Sequence, residues 1–247
     1  MSEAYISVLF LASLSIITTI IGVGLAFCFK KSTRAIIIGI GFSTGIMLLI
    51  SLFELIPESI YVIGTSKALL AVLLGGFFVG ILNFVIPHIH FFNEGNQSSL
   101  RMIKTAYLIA FGLILHDFPE GFAMANSYIH SPSLGVLIAL AIAVHNIPEE
   151  FAMAVPLLLV GKKKILFKTA LLSGLAEPVG AMVGLAVVGL YPTLNPILMT
   201  FAAGAMIFVS LHELLPMAQR YKRKGLFVVG IIISLLVYLG LTFIIPE

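Results

Sequence analysis

Charged residues are scarce in this sequence, and their scarcity excludes a soluble globular protein. Only 10% of the 247 residues are charged, whereas a soluble domain has roughly 25%. Hydrophobic residues make up 60% of the chain. This composition is typical of a protein whose main surroundings are a lipid bilayer rather than water.

Two further features are missing: a pair of cysteines and a basic N-terminal flank. The single Cys28 excludes an internal disulfide and a cluster of thiolate ligands. The residues before the first apolar run read MSEAY, which lacks the basic region of a cleaved signal peptide. We therefore expect this first run to be a transmembrane helix that the mature protein keeps.

Eight apolar runs are each long enough to cross a bilayer, which takes at least about 17 residues. Short connections join them and leave no room for a separate soluble domain. We therefore predict an all-α polytopic membrane protein with one transporter domain, residues 1–247, and eight transmembrane helices. Their approximate ranges are 4–29, 34–57, 68–86, 103–126, 134–160, 165–190, 196–219 and 225–245.

Basic residues lie almost entirely in the odd-numbered loops. These loops hold 13 of the 14 lysines and arginines, and only Lys67 lies elsewhere. Because positive loops stay in the cytoplasm, both termini are predicted to be external. The net charge of +3 then reflects orientation and gives no reason to expect nucleic-acid binding. The 13 residues are Lys30, Lys31, Arg34, Arg101, Lys104, Lys162, Lys163, Lys164, Lys168, Arg220, Lys222, Arg223 and Lys224.

Most acidic residues lie in the membrane, where they are least stable. Each ionised side chain at mid-membrane costs about 2.5–3.5 kcal/mol, and no lysine or arginine is predicted at that depth. Protons or bound cations must therefore offset the charge. Eight of the 11 acids are in or at the ends of spans: Glu54, Glu58, Asp117, Glu120, Glu149, Glu150, Glu177 and Glu213.

The motif His-x-x-Pro-Glu occurs twice, at His116–Glu120 and at His145–Glu149. A histidine and a glutamate four residues apart share one face of a helix. The proline between them leaves a backbone carbonyl without its usual donor, and such kinks occur in membranes where they line a cavity. We predict that the two helices face each other and form a cation site.

Three polar residues extend this candidate site. Asp117 and Asn146 each follow the histidine of their motif, and Glu177 lies beside Pro178 on the sixth span among small residues that permit close packing. The alternative is a polar patch that only holds helices together. Two copies of one proline-containing motif favour the cation site, because proline contributes poorly to helix association.

The ends of the chain also repeat each other. Residues 42–59 and 201–218 share the pattern Gly-x-Met-x-x-x-Ser-x-x-Glu-x-x-Pro. They belong to the second and seventh spans, which are predicted to cross in opposite directions. Inverted repeats are typical of secondary transporters, whose binding sites lie at mid-membrane. We predict a 3+2+3 arrangement, with repeats at approximately 4–86 and 165–245 around a central metal-binding pair at approximately 103–160.

These motifs resemble those of the ZIP (Zrt/Irt-like) divalent metal transporters, in their bacterial or archaeal-type branch. The resemblance rests on H-x-x-P-E-G, H-N-x-P-E, S-G-x-x-E-P and H-E-L-x-P on spans four to seven, and it covers nearly the whole chain. It implies uptake of zinc or a similar metal into the cytoplasm across the cell membrane, through a two-metal site and often in a homodimer. The implied primary ligands are His116, Glu120, His145 and Glu149 with Met47 nearby, and the implied second-metal ligands are Asp117, Asn146 and Glu177, with Glu120 and Glu149 bridging.

The sequence departs from the family pattern at two positions of this site. Asp117 stands where asparagine is common, and Glu150 stands where glycine is common. Both departures change the charge expected at the second metal. We also expect an exit station formed by His88, His90, His212 and Glu213, unless His88 and His90 are ordinary solvated loop residues. His130 is expected to be a loop residue.

Imidazole with carboxylate suits Zn²⁺, Fe²⁺, Mn²⁺, Co²⁺ or Cd²⁺, and zinc is the choice that the family resemblance implies. The metal is then cargo, and no resident cofactor is expected. Alternating access and channel-like flow both fit the sequence, with or without coupled protons. The competing functions are an intramembrane metal-dependent hydrolase, which lacks an H-E-x-x-H helix, a proton-coupled carrier of another solute, and a purely structural helical bundle.

Overall fold

The computed structural model describes residues 2–29, 32–85, 117–159 and 161–245 of the chain. These residues are almost entirely helical and contain no strand. Seven helices among them are long and apolar enough to cross a membrane. The prediction of an all-α polytopic membrane protein is therefore confirmed. The predicted fourth span begins outside the described residues, which cover it only from residue 117.

We number the helices in chain order. Several consist of consecutive segments, so α1 is broken at Ser13 and both α2 and α7 contain a π-helical turn. The bounds are Ser2–Ala12 and Leu14–Phe29 (α1), Thr33–Leu49, Ile50–Leu55 and Ile56–Ile63 (α2), Thr65–Val85 (α3), 117–130 (α4), Pro132–Leu159 (α5), Lys163–Leu190 (α6), Asn195–Val209, Ser210–Leu214 and Leu215–Arg220 (α7), and Lys224–Ile244 (α8).

Helix α2 continues beyond its predicted end at residue 57 and stops only at Ile63. The apolar run that predicts α2 ends at Pro57, and a proline cannot donate to the carbonyl four residues before it. In the structure a π-helical turn precedes this proline, and the Ile56 N–H donates to the Ser51 carbonyl five residues back. The wider turn moves the backbone away from the proline ring, and so the helix continues.

Helix α7 repeats this feature at the matching position. The Leu215 N–H donates to the Ser210 carbonyl, again five residues back and immediately before a proline, Pro216. The two π-helical turns occupy the Ser-Leu-x-Glu-Leu segments that the two halves of the sequence share. Each turn carries one acidic residue, which is Glu54 in α2 and Glu213 in α7.

The helices associate in pairs through extensive interfaces. Helix α2 packs along α8, α3 along α7 and α1 along α5. Helix α4 packs closely on α6, where a side chain at Gly121 or Gly180 would overlap the facing backbone. Small residues thus let backbones approach, as is usual where helices associate in lipid.

All described basic residues except Lys67 lie at one end of the helix bundle, which we call the basic end. Helices α2, α6 and α8 begin there, and α5 and α7 end there. The far end holds the turns at Gly64 and Ser131 and the 3₁₀ turn Pro192–Leu194. The charge asymmetry that the sequence predicts between the two membrane faces is therefore present in the described residues.

Candidate metal centre

A cluster of buried acidic and polar side chains lies in the middle of the bundle, where α4, α5 and α6 meet. Helix α5 supplies four of these side chains and contains Pro148 within its length. The Ser43 hydroxyl of α2 donates to the His145 carbonyl at 2.9 Å, next to the carbonyl of Val144 that the proline leaves without its usual donor. Gly39 of α2 faces Pro148, and a Cβ there would lie 2.9 Å from the proline ring. The proline is thus accommodated by the neighbouring helix.

The core of the cluster is a triad of Glu120, His145 and Glu149. One ligand atom from each residue lies within 4.8 Å of the others. The His145 Nε2 atom is 3.2 Å from Glu120 Oε1 and 3.9 Å from Glu149 Oε2. Ligand atoms around a tetrahedral zinc ion are about 3.3 Å apart, since each lies about 2.0–2.1 Å from the metal. The triad therefore needs little movement to hold such an ion.

The backbone orients the histidine of this triad for metal binding. His145 Nδ1 lies 2.9 Å from the carbonyl oxygen of Ala141. A carbonyl can only accept, so Nδ1 carries a proton, and in the neutral imidazole the Nε2 lone pair can then bind a metal ion. A lone pair that faces carboxylate oxygens is favourable when a cation lies between them. The same N–H to carbonyl contact fixes the ring in many metal sites.

A second group of side chains surrounds the triad and contains only oxygen and amide ligands. The Asn146 amide donates to Glu177 of α6. One turn earlier on α6, the Ser173 hydroxyl contacts both Asp117 and Glu150. Serine has a single hydroxyl proton, so it donates to one carboxylate and can only accept from the other. A proton or a metal ion is therefore needed to make both contacts favourable.

Glycines and a threonine of the surrounding helices make room for these acids. Gly121 of α4 lies against the backbone of Glu177, where a Cβ would approach the carbonyl oxygen to 2.0 Å. Gly22 of α1 lies against Glu150, and a Cβ added to the glycine would lie 2.7 Å from the Cβ of Glu150. The Thr19 hydroxyl then donates to Glu150 at 3.2 Å. Glu150 is thus accommodated by α1.

The cluster concentrates negative charge away from every described base. The Asp117 carboxyl interacts electrostatically with the carboxyls of Glu150, Glu149, Glu120 and Glu177. All five acids are at most 5% exposed. Described lysines and arginines lie within two turns of helix ends. Ionised carboxylates at this depth are costly, so the arrangement is suited to hold divalent cations.

The structure brings together six of the residues predicted for the site. They come from three helices and are Asp117, Glu120, His145, Asn146, Glu149 and Glu177. The predicted ligand His116 and the predicted exit residues His88 and His90 lie outside the described residues. Met47 is fully buried, and its sulfur accepts a hydrogen bond from the Ser210 hydroxyl of α7 at 3.6 Å. Its place beside the metal stays a prediction.

The remaining exit residues diverge in the structure. Glu213 is partly buried and accepts from the Asn83 amide of α3 at 2.9 Å. His212 is exposed and stacks on Phe208 of its own helix, with ring centroids 4.8 Å apart. The two neighbours therefore point in different directions, and Glu213 alone contacts another helix through its side chain among the described residues.

Ser173 and Thr19 belong to the site but are not predicted by the sequence. Ser173 lies four residues before Glu177, so the two side chains share a face of α6. This spacing within the S-G-x-x-E-P motif was a usable signal. Thr19 carries no comparable pattern, because its contact with Glu150 depends on how α1 packs against α5.

Known proteins match this chain over most of its length. Residues 92–245 match the family model of the ZIP zinc transporters. The chain is 39% identical to the zinc transporter ZupT of Corynebacterium aurimucosum, over 80% of this chain and 81% of that protein. It is 34% identical to ZupT of Streptococcus mutans and 37% identical to ZupT of Akkermansia muciniphila, each over 96% of this chain and 97% of the relative.

Proposed function

This chain belongs to the ZIP zinc transporter family, and we propose that it carries divalent metal ions, zinc foremost, across the cell membrane into the cytoplasm. The single observation that carries this proposal is the buried triad of Glu120, His145 and Glu149. Its ligand atoms have nearly the spacing of a tetrahedral zinc site. The relatives whose names specify zinc match the chain over most of its length.

The metal is bound as cargo at a binuclear site. The first ion is held by Glu120, His145 and Glu149, with His116 as a fourth ligand and Met47 nearby. The second ion is held by oxygen and amide groups on the α6 side of the triad, namely Asp117, Asn146 and Glu177. Glu120 and Glu149 bridge the two ions, because they interact electrostatically with both Asp117 and Glu177.

The ligand types favour borderline divalent metals. Imidazole and carboxylate suit Zn²⁺, Fe²⁺, Mn²⁺, Co²⁺ and Cd²⁺, whereas Cu⁺ prefers sulfur and Mg²⁺ retains water on an all-oxygen site. The second ion meets Glu150 and Ser173 in addition to the family ligands. This extra carboxylate makes the second position more favourable for oxygen-preferring ions such as Mn²⁺ than glycine would.

The fold that performs this transport is a single domain, residues 1–247, of eight spans in a 3+2+3 arrangement with both termini external. The pairing of the helices supports an inverted repeat. An inverted repeat would relate α1 to α6, α2 to α7, α3 to α8 and α4 to α5. Under this relation the α2–α8 pair corresponds to the α7–α3 pair. The α1–α5 pair likewise corresponds to the α6–α4 pair. The matching π-helical turns of α2 and α7 have the same explanation.

The basic end of the bundle faces the cytoplasm, where positive loops stay. Metal therefore enters from the far end and leaves past an exit station of His88, His90, His212 and Glu213. The transporter acts in the cell membrane as a homodimer.

Single cysteines placed at Lys163 and at Thr193, in a Cys28→Ser background, should be labelled from opposite sides of the membrane. Labelling of both from the same side would contradict the topology and the inverted repeat.

Uptake by the purified protein in vesicles tests the function. Radiolabelled Zn²⁺, Mn²⁺, Fe²⁺, Co²⁺ and Cd²⁺ are offered separately, with the pH gradient varied independently of the metal. We expect saturable uptake with zinc among the best substrates. Vesicles that hold correctly folded protein but accumulate no metal would contradict the proposal, and release of a cleaved lipid or peptide product would favour a metal-dependent hydrolase instead.

A further inference from the structure

A second contact between an imidazole and a carboxylate lies at the far end of the bundle. His130, the last residue of α4, places Nε2 2.7 Å from Glu58 Oε1 of α2. The two side chains are 21% and 37% exposed. The expectation that His130 is a loop residue is therefore wrong, since it belongs to a helix end and joins two helices.

The position of this contact relates it to the central triad. His130 lies ten residues after Glu120 on α4, and a helix rises about 1.5 Å per residue. The contact is thus about 15 Å from the triad along the membrane normal, which is half of a hydrocarbon core of about 30 Å. It lies where the bundle meets water, at the face opposite the described bases other than Lys67.

The side of α4 between the two sites is small or polar. Steps of three and four residues place Ser127 and Ala123 along the side that runs from His130 to Glu120. On α2, Ser51 lies between Glu58 and Met47 in the chain, and its fully buried hydroxyl has no hydrogen-bond partner among the described residues. Both helices of the outer contact therefore carry polar side chains between that contact and the centre of the bundle.

We propose that His130 and Glu58 form a separate divalent-cation site at the outer mouth, where metal is captured before it reaches the triad. This inference rests on the proposed transport function. The site takes a borderline ion such as Zn²⁺, Co²⁺ or Cd²⁺, held by His130 Nε2, a Glu58 oxygen and water. The two atoms must separate from 2.7 Å to about 3.3 Å around a tetrahedral ion. Two protein ligands bind weakly enough to release the ion inward.

An ordinary ion pair between the two helices predicts different variant behaviour. His130→Lys places a permanent positive charge beside Glu58 but removes the metal ligand, because a protonated lysine has no lone pair. His130→Asp keeps a ligand but places two like charges together. The two variants therefore separate metal binding from charge pairing, and they change the same position.

The experiment measures initial Zn²⁺ uptake against Zn²⁺ concentration for the full-length protein and both variants in vesicles. We expect the half-saturating concentration to rise about tenfold for His130→Lys, as for loss of a group that supports metal binding, and to stay within about twofold of the unmodified protein for His130→Asp. An unchanged value for His130→Lys, or equal impairment of both variants, would overturn the mouth site. Failure of the unmodified protein to take up metal would instead refute the proposed function.

Direct binding provides a readout that does not depend on transport. In full-length protein with His145→Ala and Glu149→Ala, Co²⁺ absorption in the visible region reports any remaining site with a nitrogen ligand. We expect a residual signal, to which the proposed exit histidines also contribute, that Glu58→Gln diminishes and that a further His130→Lys change diminishes again. A residual signal that His130→Lys leaves intact would also overturn the proposal.

Discussion

The central triad and the mouth pair, His130 and Glu58, contain the same types of side chain but differ in burial. Both contain a histidine Nε2 close to a glutamate oxygen, at 3.2 Å in the triad and 2.7 Å at the mouth. Glu120 and His145 are fully buried, whereas Glu58 and His130 are partly exposed. Burial makes each uncompensated charge costly and each ligand decisive, while water can replace a ligand at the mouth. The effects of substitutions should therefore grow with depth.

The largest effect is expected at the triad. His145→Ala or Glu149→Ala should abolish metal uptake while the protein still inserts into the membrane. Each change removes one of the few ligands and leaves the other buried charges poorly compensated. The measurement is initial Zn²⁺ uptake at matched amounts of protein in the membrane. His130→Ala, which removes the same side chain at the mouth, is the matched control and should retain most of the rate at saturating metal.

Substantial uptake by both triad variants would contradict the expected dependence on depth, because burial would then have no bearing on the role of a histidine or a glutamate. An equal loss of uptake in His130→Ala would also contradict it. The mouth would then be as indispensable as the centre.

The sequence predicts the helical spans and the proximity of Glu120, His145 and Glu149, because both follow from regular spacing and repeated motifs. The role of the three residues as metal ligands stays a prediction. Apolar length identifies the helices to within a few residues at most ends, and the four-residue spacing of His145 and Glu149 places them on one face. The contact between His130 and Glu58 joins residues 72 positions apart. No periodicity predicts it, since it depends on how two helix ends meet in three dimensions.

The π-helical turns and the partners of Glu150 were missed for a related reason. A π-helical turn depends on whether packing permits the helix to widen before Pro57 or Pro216. The shared Ser-Leu-x-Glu-Leu pattern of the two segments does not by itself predict this turn. Thr19 and Ser173 reach Glu150 only because α1 and α6 turn these faces toward α5. Helix rotation about its own axis is weakly encoded where several faces of a helix are apolar.

An intermediate effect is expected for the residues that follow the two motif histidines. Asp117 contacts Ser173 and Asn146 contacts Glu177, so the two reach α6 one turn apart. Asp117→Asn should leave the triad able to bind metal and weaken the second ion. Asn146→Asp cannot donate to Glu177, and it should bind metal more tightly but release it more slowly. We expect each change to lower initial uptake about tenfold, a magnitude typical of residues that tune a metal site.

The exchanged double variant, Asp117→Asn with Asn146→Asp, restores the summed charge of the second position. If the two motifs face each other about a pseudo-two-fold axis, it should recover to within about threefold of the unmodified protein, since charge rather than placement then governs the second ion. Uptake and the number of bound metal ions are measured for all three variants. A double variant no better than the worse single one would show that the positions are not equivalent.

The smallest effect is expected at the cytoplasmic exit, where water is again available. His88 and His90 belong to the predicted loop before the fourth span, and the basic end of the described residues holds Glu213, which accepts from Asn83, and the exposed His212. Replacing both His88 and His90 with alanine should slow initial uptake about two- to fivefold without changing the number of ions bound at the centre, because groups in water tune a rate rather than hold a buried charge.

Glu94→Gln, in the same predicted loop, is the matched control and should leave the rate unaltered. Equal rates for the double variant and the control, across metal concentrations, would assign the two histidines to the solvated loop. Complete loss of uptake would place them in the transport site itself and would end the proposed dependence of effect on depth.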